Sequence, residues 1–126
     1  MIKVENLGKR YGDKWVVDHI SFTVGEGEIV GFLGTNGAGK TTTMSMITGF
    51  LSSTEGTAQI GGINVLEDPI GAKKQIGYLP EIPPLYMEMT VREYLNFIYD
   101  LKGCTLKRDE HLKEIAETVR VADVYN

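Results

Sequence analysis

One stretch limits the folds open to this chain more than any other: the apolar run Glu28-Ile29-Val30-Gly31-Phe32-Leu33 passes directly into Gly34-Thr35-Asn36-Gly37-Ala38-Gly39-Lys40-Thr41. The first six residues lack polar alternation, as expected of a central parallel strand buried on both faces. The next eight fit G-x-x-x-x-G-K-[ST] at every fixed position. Beyond them Met44, Ile47 and Phe50 fall at helical spacing from Lys40 to Phe50, with Gly49 near the helix end. Backbone N–H groups can converge on one point only where the chain takes up unusual dihedrals, which Gly37 and Gly39 allow. A helix starting at Gly39 aims its unsatisfied amides and positive dipole end at the same point. Lys40 adds a cation and Thr41 a hydroxyl able to ligate Mg2+, so the loop suits the polyphosphate of a nucleotide. The competing reading is a plain strand-turn-helix corner. It leaves Lys40 unexplained, because an ammonium among orphan amides is disfavoured unless an anion is present.

Composition excludes several other classes. The chain has 126 residues, with 13 Lys and Arg against 17 Asp and Glu, for a net charge of -4. No global basic field is offered to nucleic acid, and no nucleic-acid partner is expected. A single cysteine, Cys104, rules out an internal disulfide, and no Cys or His cluster has metal spacing. His19 and His111 read as isolated side chains without partner carboxylates. No window approaches about 18 consecutive apolar residues, the length needed to span a bilayer. The charged, alternating start Met1-Ile2-Lys3-Val4-Glu5-Asn6-Leu7 lacks the apolar region of a signal peptide, so a cytoplasmic chain is expected.

Periodicity sets out the rest. Ile2 to Leu7 and Ile20 to Val24 alternate as half-buried antiparallel strands, with turn chemistry at Gly8 and Tyr11-Gly12-Asp13. Thr57 to Ile60 and Ile63 to Val65 form a hairpin about Gly61-Gly62, which supplies the positive φ angles of a two-residue turn. Ile76 to Pro80 reads as a short strand, and Glu81 to Met89, with Pro83-Pro84, as a stiff loop. Thr90-Val91-Arg92-Glu93 is a capping-box pattern. It opens a helix whose face carries Val91, Tyr94, Leu95, Ile98 and Leu101 and which stops at Gly103. Phe97-Ile98-Tyr99-Asp100 therefore lies inside that helix. A further helix from about Lys107 keeps Leu112, Ile115, Ala116 and Val119 on one side and a solvated charged face opposite.

The run from Gly25 through Thr42 resembles the Walker A region of the ATP-binding subunits of ABC transporters. Tyr11 resembles the aromatic A-loop residue of that family, whose ring stacks on adenine. Ile76 to Pro80, followed by Thr90-Val91-Arg92-Glu93-Tyr94-Leu95, is similar to the Q-loop region and the start of the helical subdomain. The resemblance implies an α/β fold, a P-loop NTPase of ABC type. It would have a mixed sheet with an antiparallel β subdomain and the beginning of a helical subdomain, as an incomplete domain. Residues 1–80 would form the β subdomain and Walker A core, 81–89 the Q-loop region and 90–126 the start of the helical subdomain.

It also implies ATP and Mg2+ as cofactors. Tyr11, Gly34, Thr35, Asn36, Gly37, Ala38, Gly39, Lys40, Thr41 and Thr42 would hold the nucleotide. Lys40 would be the catalytic cation, and Thr41 and Glu81 the metal ligands. Glu81 stands where the family usually has glutamine, and its charge would repel a γ-phosphate. The implied partners are a transmembrane permease and a second ATP-binding subunit, with membrane contact at the inner face through the permease alone. Met87 and Met89 lie where the permease docks in this family. No L-S-G-G-Q signature, Walker B strand, catalytic glutamate or switch histidine follows in the 126 residues, so binding without turnover is expected. The segment Leu79-Pro80-Glu81 to Tyr86 resembles drug-export subunits. Two other classes carry the same loop: nucleotide kinases or small GTPases, and soluble ABC proteins of translation or DNA repair. The first usually open on the P-loop strand, whereas here two strand segments come first.

Overall fold

The computed structural model describes all 126 residues, which divide into two compact units, Met1–Tyr78 and Leu79–Asn126. In the first, β1 (Ile2–Tyr11), β2 (Lys14–Val24), β3 (Glu55–Ile60) and β4 (Ile63–Asn64) form one antiparallel sheet in the order β2-β1-β3-β4. Helix α1 (Lys40–Ile47) and the short α2 (Pro69–Lys74) complete the unit. β1 and β2 run longer than the alternation predicts and are joined by a turn at Gly12-Asp13. The reason lies in their spacing. Val4 and Leu7 are both buried though three residues apart, as are Val17 and the part-buried Ile20 three residues later. A strand can bury both members of such a pair only by inserting an extra residue, and the ladder shifts register at both places. Asn6 and His19 take the left-handed backbone at these bulges, each with φ of 47°.

The core joins Val4, Leu7, Val17, Ala58 and Ile60 of the sheet to Met46 and Ile47 of α1, to Val65 just after β4 and to Ala72 of α2. Within α1 the buried positions are Thr43, Met46 and Ile47. Ile47 is buried as expected, but Met44 and Phe50 are exposed, so the buried face is turned by one residue from the expected one. The expected Gly61-Gly62 hairpin forms, with φ of 56° and 83°. α2 is a helix the periodicity did not reveal. Asp68 caps it by accepting from the Gly71 amide at 2.9 Å, and Pro69 occupies its first turn.

The stretch 28–33 departs from expectation. It joins no ladder, and Ile29 and Leu33 are 98% and 93% exposed. Its other face does pack, with the Phe32 ring 5.7 Å from that of Phe22. Residues 76–80, expected as a strand, likewise form no strand. A strand exists through its hydrogen-bonded neighbours, and neither stretch joins the sheet. Val30, Phe32, Met44, Ile47, Ile60 and Ile76 instead face an apolar cavity of about 540 Å³.

In the second unit, α3 (Val91–Leu101) and α4 (Arg108–Thr118) are followed by a 3-10 turn at Ala122–Val124. The capping box at Thr90 and Glu93 is complete, and Gly103 ends the α3 turn with φ of 61°. Phe97 to Asp100 is helical as expected. Leu112 and Ala116 are buried, but Val119 is exposed. The charges of α4 are not all solvent-facing: Arg108 binds Asp100 of α3, donates to Asn96 Oδ1 at 3.2 Å and lies 4.5 Å from the Tyr99 ring. The Asp100 carboxylate holds the Arg108 guanidinium above its usual range. Cys104 is a free thiol.

Candidate functional site

The loop between Leu33 and α1 is held at three points. The Ala38 amide donates to the Thr35 carbonyl at 3.1 Å and closes a turn at its tip. Gly37 and Gly39 have φ of 81° and 91°, backbone that a side chain would strain. At the helix end the Gly39 carbonyl accepts from the Thr43 amide at 2.8 Å and from the buried Thr43 hydroxyl at 2.9 Å. These bonds consume a single donor of the loop. The amides of Asn36, Gly37, Gly39, Lys40, Thr41 and Thr42 have no acceptor within the protein. Six unspent donors in seven consecutive residues, at the positive end of a helix dipole, suit a polyanion.

Lys40 does not point away from this loop. Its Nζ donates to the carbonyls of Gly34 at 2.5 Å and Thr35 at 2.7 Å. The ammonium is thus stabilised by carbonyl oxygens before any anion arrives, which corrects the expectation that only an anion could balance it. It also places a cation on the loop whose amides are unspent. Gly34 is tight beneath it: a Cβ there would lie 3.3 Å from Ala38 Cβ and 3.7 Å from Lys40 Cδ. The Thr41 hydroxyl, exposed at the first helical turn, makes no bond to the protein. A hydroxyl oxygen of this kind fits Mg2+, which takes oxygen ligands and retains water.

Tyr11 ends β1, paired with Lys14 across the turn, and its ring is 55% exposed with Lys9 Nζ 5.3 Å from the centroid. Val17 belongs to the core. Val16, two residues beyond Lys14, lies with its carbonyl against Gly39, so the Tyr11 hairpin end and the glycine loop are built onto the same strand. This contact was not foreseen; the glycine at 39, next to a helix start, was its only trace in the sequence. Glu81 belongs to the second unit, where it is an exposed bend residue.

His19 corrects another reading. It is not isolated: Nδ1 lies 2.6 Å from Asp18 Oδ1 and Nε2 2.8 Å from Glu55 Oε2. No group of three or more metal-ligating side chains is present in the fold. No helix is long and apolar enough to cross a membrane.

A glycine loop with unspent amides, a lysine folded into it and a helix starting at its end define a P-loop nucleotide-binding protein. Comparison with known proteins narrows the class. Residues 17–126 match the family described as ABC transporter. The chain is 45% identical over 114 residues to an ABC transporter ATP-binding protein of Methanocaldococcus jannaschii, covering 90% of this chain and 38% of that one. It is 37% identical over 119 residues to a bacitracin transport ATP-binding protein of Bacillus licheniformis, covering 94% and 38%. A solved ATP-binding subunit of an ABC transporter superposes with a TM-score of 0.85 at 30% identity, over 98% of this chain and 52% of that one. The chain belongs to the ABC transporter ATP-binding family. It spans under two-fifths of the length of the two relatives named.

Proposed function

We propose that this chain supplies the nucleotide-holding portion of an ABC transporter's ATP-binding subunit. One observation carries the reading: the amides of Asn36, Gly37 and Gly39 to Thr42 lack protein acceptors around a loop into which Lys40 is already folded. Gly34 to Gly39 would wrap the phosphates with backbone. Lys40 would exchange its carbonyl partners for phosphate oxygens, gaining charge-assisted bonds in place of neutral ones. Thr41 would ligate Mg2+, and Tyr11 would offer its open face to adenine. Bound Mg-ATP would supply a polarised γ-phosphoryl group; the residues of this chain bind and orient it.

Turnover needs a positioned water and further charge stabilisation, and the 126 residues hold no signature motif, Walker B strand or catalytic glutamate. The relative named for bacitracin transport favours drug export over a soluble ABC protein. In that reading a permease and a second ATP-binding subunit are the partners. The chain would lie at the cytoplasmic face of the membrane, with residues 81–89 as the Q-loop region.

Titration calorimetry with Mg-ATP tests the proposal. Wild-type protein should bind, and Lys40→Ala should bind at least about tenfold more weakly, the loss of one charge-assisted contact. Equal affinity of the two proteins, or no heat with the wild type, overturns it.

A further inference from the structure

The sheet carries a cluster of charged side chains outside the glycine loop. Three strands break their regular backbone there: Asn6 of β1 and His19 of β2 have φ of 47°, and Gly56 of β3 has φ of 76°. Gly56 is pressed so closely on β1 that a Cβ would fall 2.1 Å from the Asn6 carbonyl oxygen. β1 lies between β2 and β3, yet His19 of β2 reaches Glu55 of β3, so this contact passes over the central strand. The ring meets a carboxylate at each nitrogen, Asp18 at 2.6 Å and Glu55 at 2.8 Å. A neutral imidazole has one N–H and one lone pair. It can donate to one of these carboxylates and must turn its lone pair on the other. Only the imidazolium donates to both.

We propose that His19 is a proton-operated clasp: as the imidazolium it ties the start of β3 to β2 across the bulged central strand, and loss of its proton removes one of its two donors and the charge that holds Glu55, loosening the tie. The charged groups facing it are few. Asp18 comes from its own strand and Glu55 from β3. From β1, Arg10 places its guanidinium 5.4 Å from the Trp15 ring, and that indole lies 4.5 Å from the imidazole. The indole face favours the cationic ring. Hydrogen bonds to Glu55 and then to Asp18 raise the His19 pKa above its usual value of 6.5. A raised folded pKa means that the clasp contributes fully below the ordinary histidine pKa and is lost as pH rises through the folded one. The neighbouring anchors do not titrate in this range: the Thr54 amide donates to the Gly8 carbonyl at 2.8 Å, and the Arg10 amide to the Thr54 hydroxyl at 3.0 Å. The loosened segment is therefore short, centred on Glu55.

The chain has two histidines, so NMR separates them without ambiguity. The 126-residue protein is titrated from about pH 5 to about pH 9, following both imidazoles and the Glu55 and Gly56 amides. His19 should titrate above the ordinary histidine value, and both amides should shift with the same midpoint. Glu55→Gln and, separately, Asp18→Asn should each lower that midpoint while leaving His111 unmoved. Should one variant fail to fold, the other carries the test. A His19 midpoint at the ordinary value, one indifferent to both substitutions, or amides that ignore the titration would overturn the clasp.

Discussion

Gly39 lies against the backbone carbonyl of Val16: a Cβ at position 39 would fall 2.6 Å from that oxygen and 3.0 Å from Val17 Cγ2. The contact seats the start of α1 directly on β2. It makes the loop part of the sheet rather than an appendage, and it explains why the residue before Lys40 must be small as well as left-handed.

Gly39→Ala should therefore cost more than Gly37→Ala. Both positions have positive φ, which alone costs about 1–2 kcal/mol for an L side chain. Nothing lies within 4 Å of a Cβ at 37, whereas at 39 the obstacle is backbone. Urea unfolding should show Gly37→Ala losing about that amount and Gly39→Ala at least about 1 kcal/mol more.

The Thr43 hydroxyl is buried and donates to the Gly39 carbonyl, which the Thr43 amide also serves. Thr43→Val keeps the shape and leaves that carbonyl one partner. The expected loss is about 1 kcal/mol, the net worth of one such bond, read as a lower unfolding midpoint with an unchanged urea slope.

Two leucines separate the real core from the expected one. Leu7 is 1% exposed among core residues, and Leu33 lies open. Leu7→Ala should cost about 2–5 kcal/mol, and Leu33→Ala no more than about 0.5 kcal/mol. Similar losses at both sites would show that 28–33 is packed on both faces after all.

At the start of α3, the Thr90 hydroxyl accepts from the Glu93 amide at 3.3 Å, and the Thr90 amide donates to Glu93 Oε2 at 2.8 Å. Thr90→Ala should cost about 1 kcal/mol of helix stability. That amide bond lowers the Glu93 pKa from its usual 4.5. A depressed carboxylate pKa gives stability that is present above the unfolded value and lost as pH falls through the folded one. Circular dichroism at acid pH should show α3 helicity falling in wild type, and Glu93→Gln should flatten that dependence.

Much of the fold was legible because its signals are local. Gly61-Gly62 makes its turn with its own φ angles, and Thr90 and Glu93 cap with their own side chains. The three-residue gaps from Val4 to Leu7 and from Val17 to Ile20 carried a bulge signal that the alternation passed over, since period-two geometry cannot bury both ends otherwise. Asp68-Pro69 likewise carried a cap-and-proline start that apolar periodicity passed over, because α2 is too short to show a face. The candidate phosphate loop was legible for the same reason: glycines at 37 and 39 permit its backbone whatever surrounds it.

Sequence alone determined the Gly61-Gly62 turn, the capped start of α3 and the glycine loop that leads into α1, because these depend on dihedral preference and near-neighbour bonds. Tertiary structure decided the rest. An apolar run becomes a strand only when another segment supplies its ladder, so Glu28 to Leu33 stays unpaired in this chain. His19 gains two carboxylates, Gly39 a carbonyl and Lys40 its loop oxygens only once distant or folded-back backbone brings those groups within bonding distance. Such contacts are properties of position in space, which spacing along one chain does not encode.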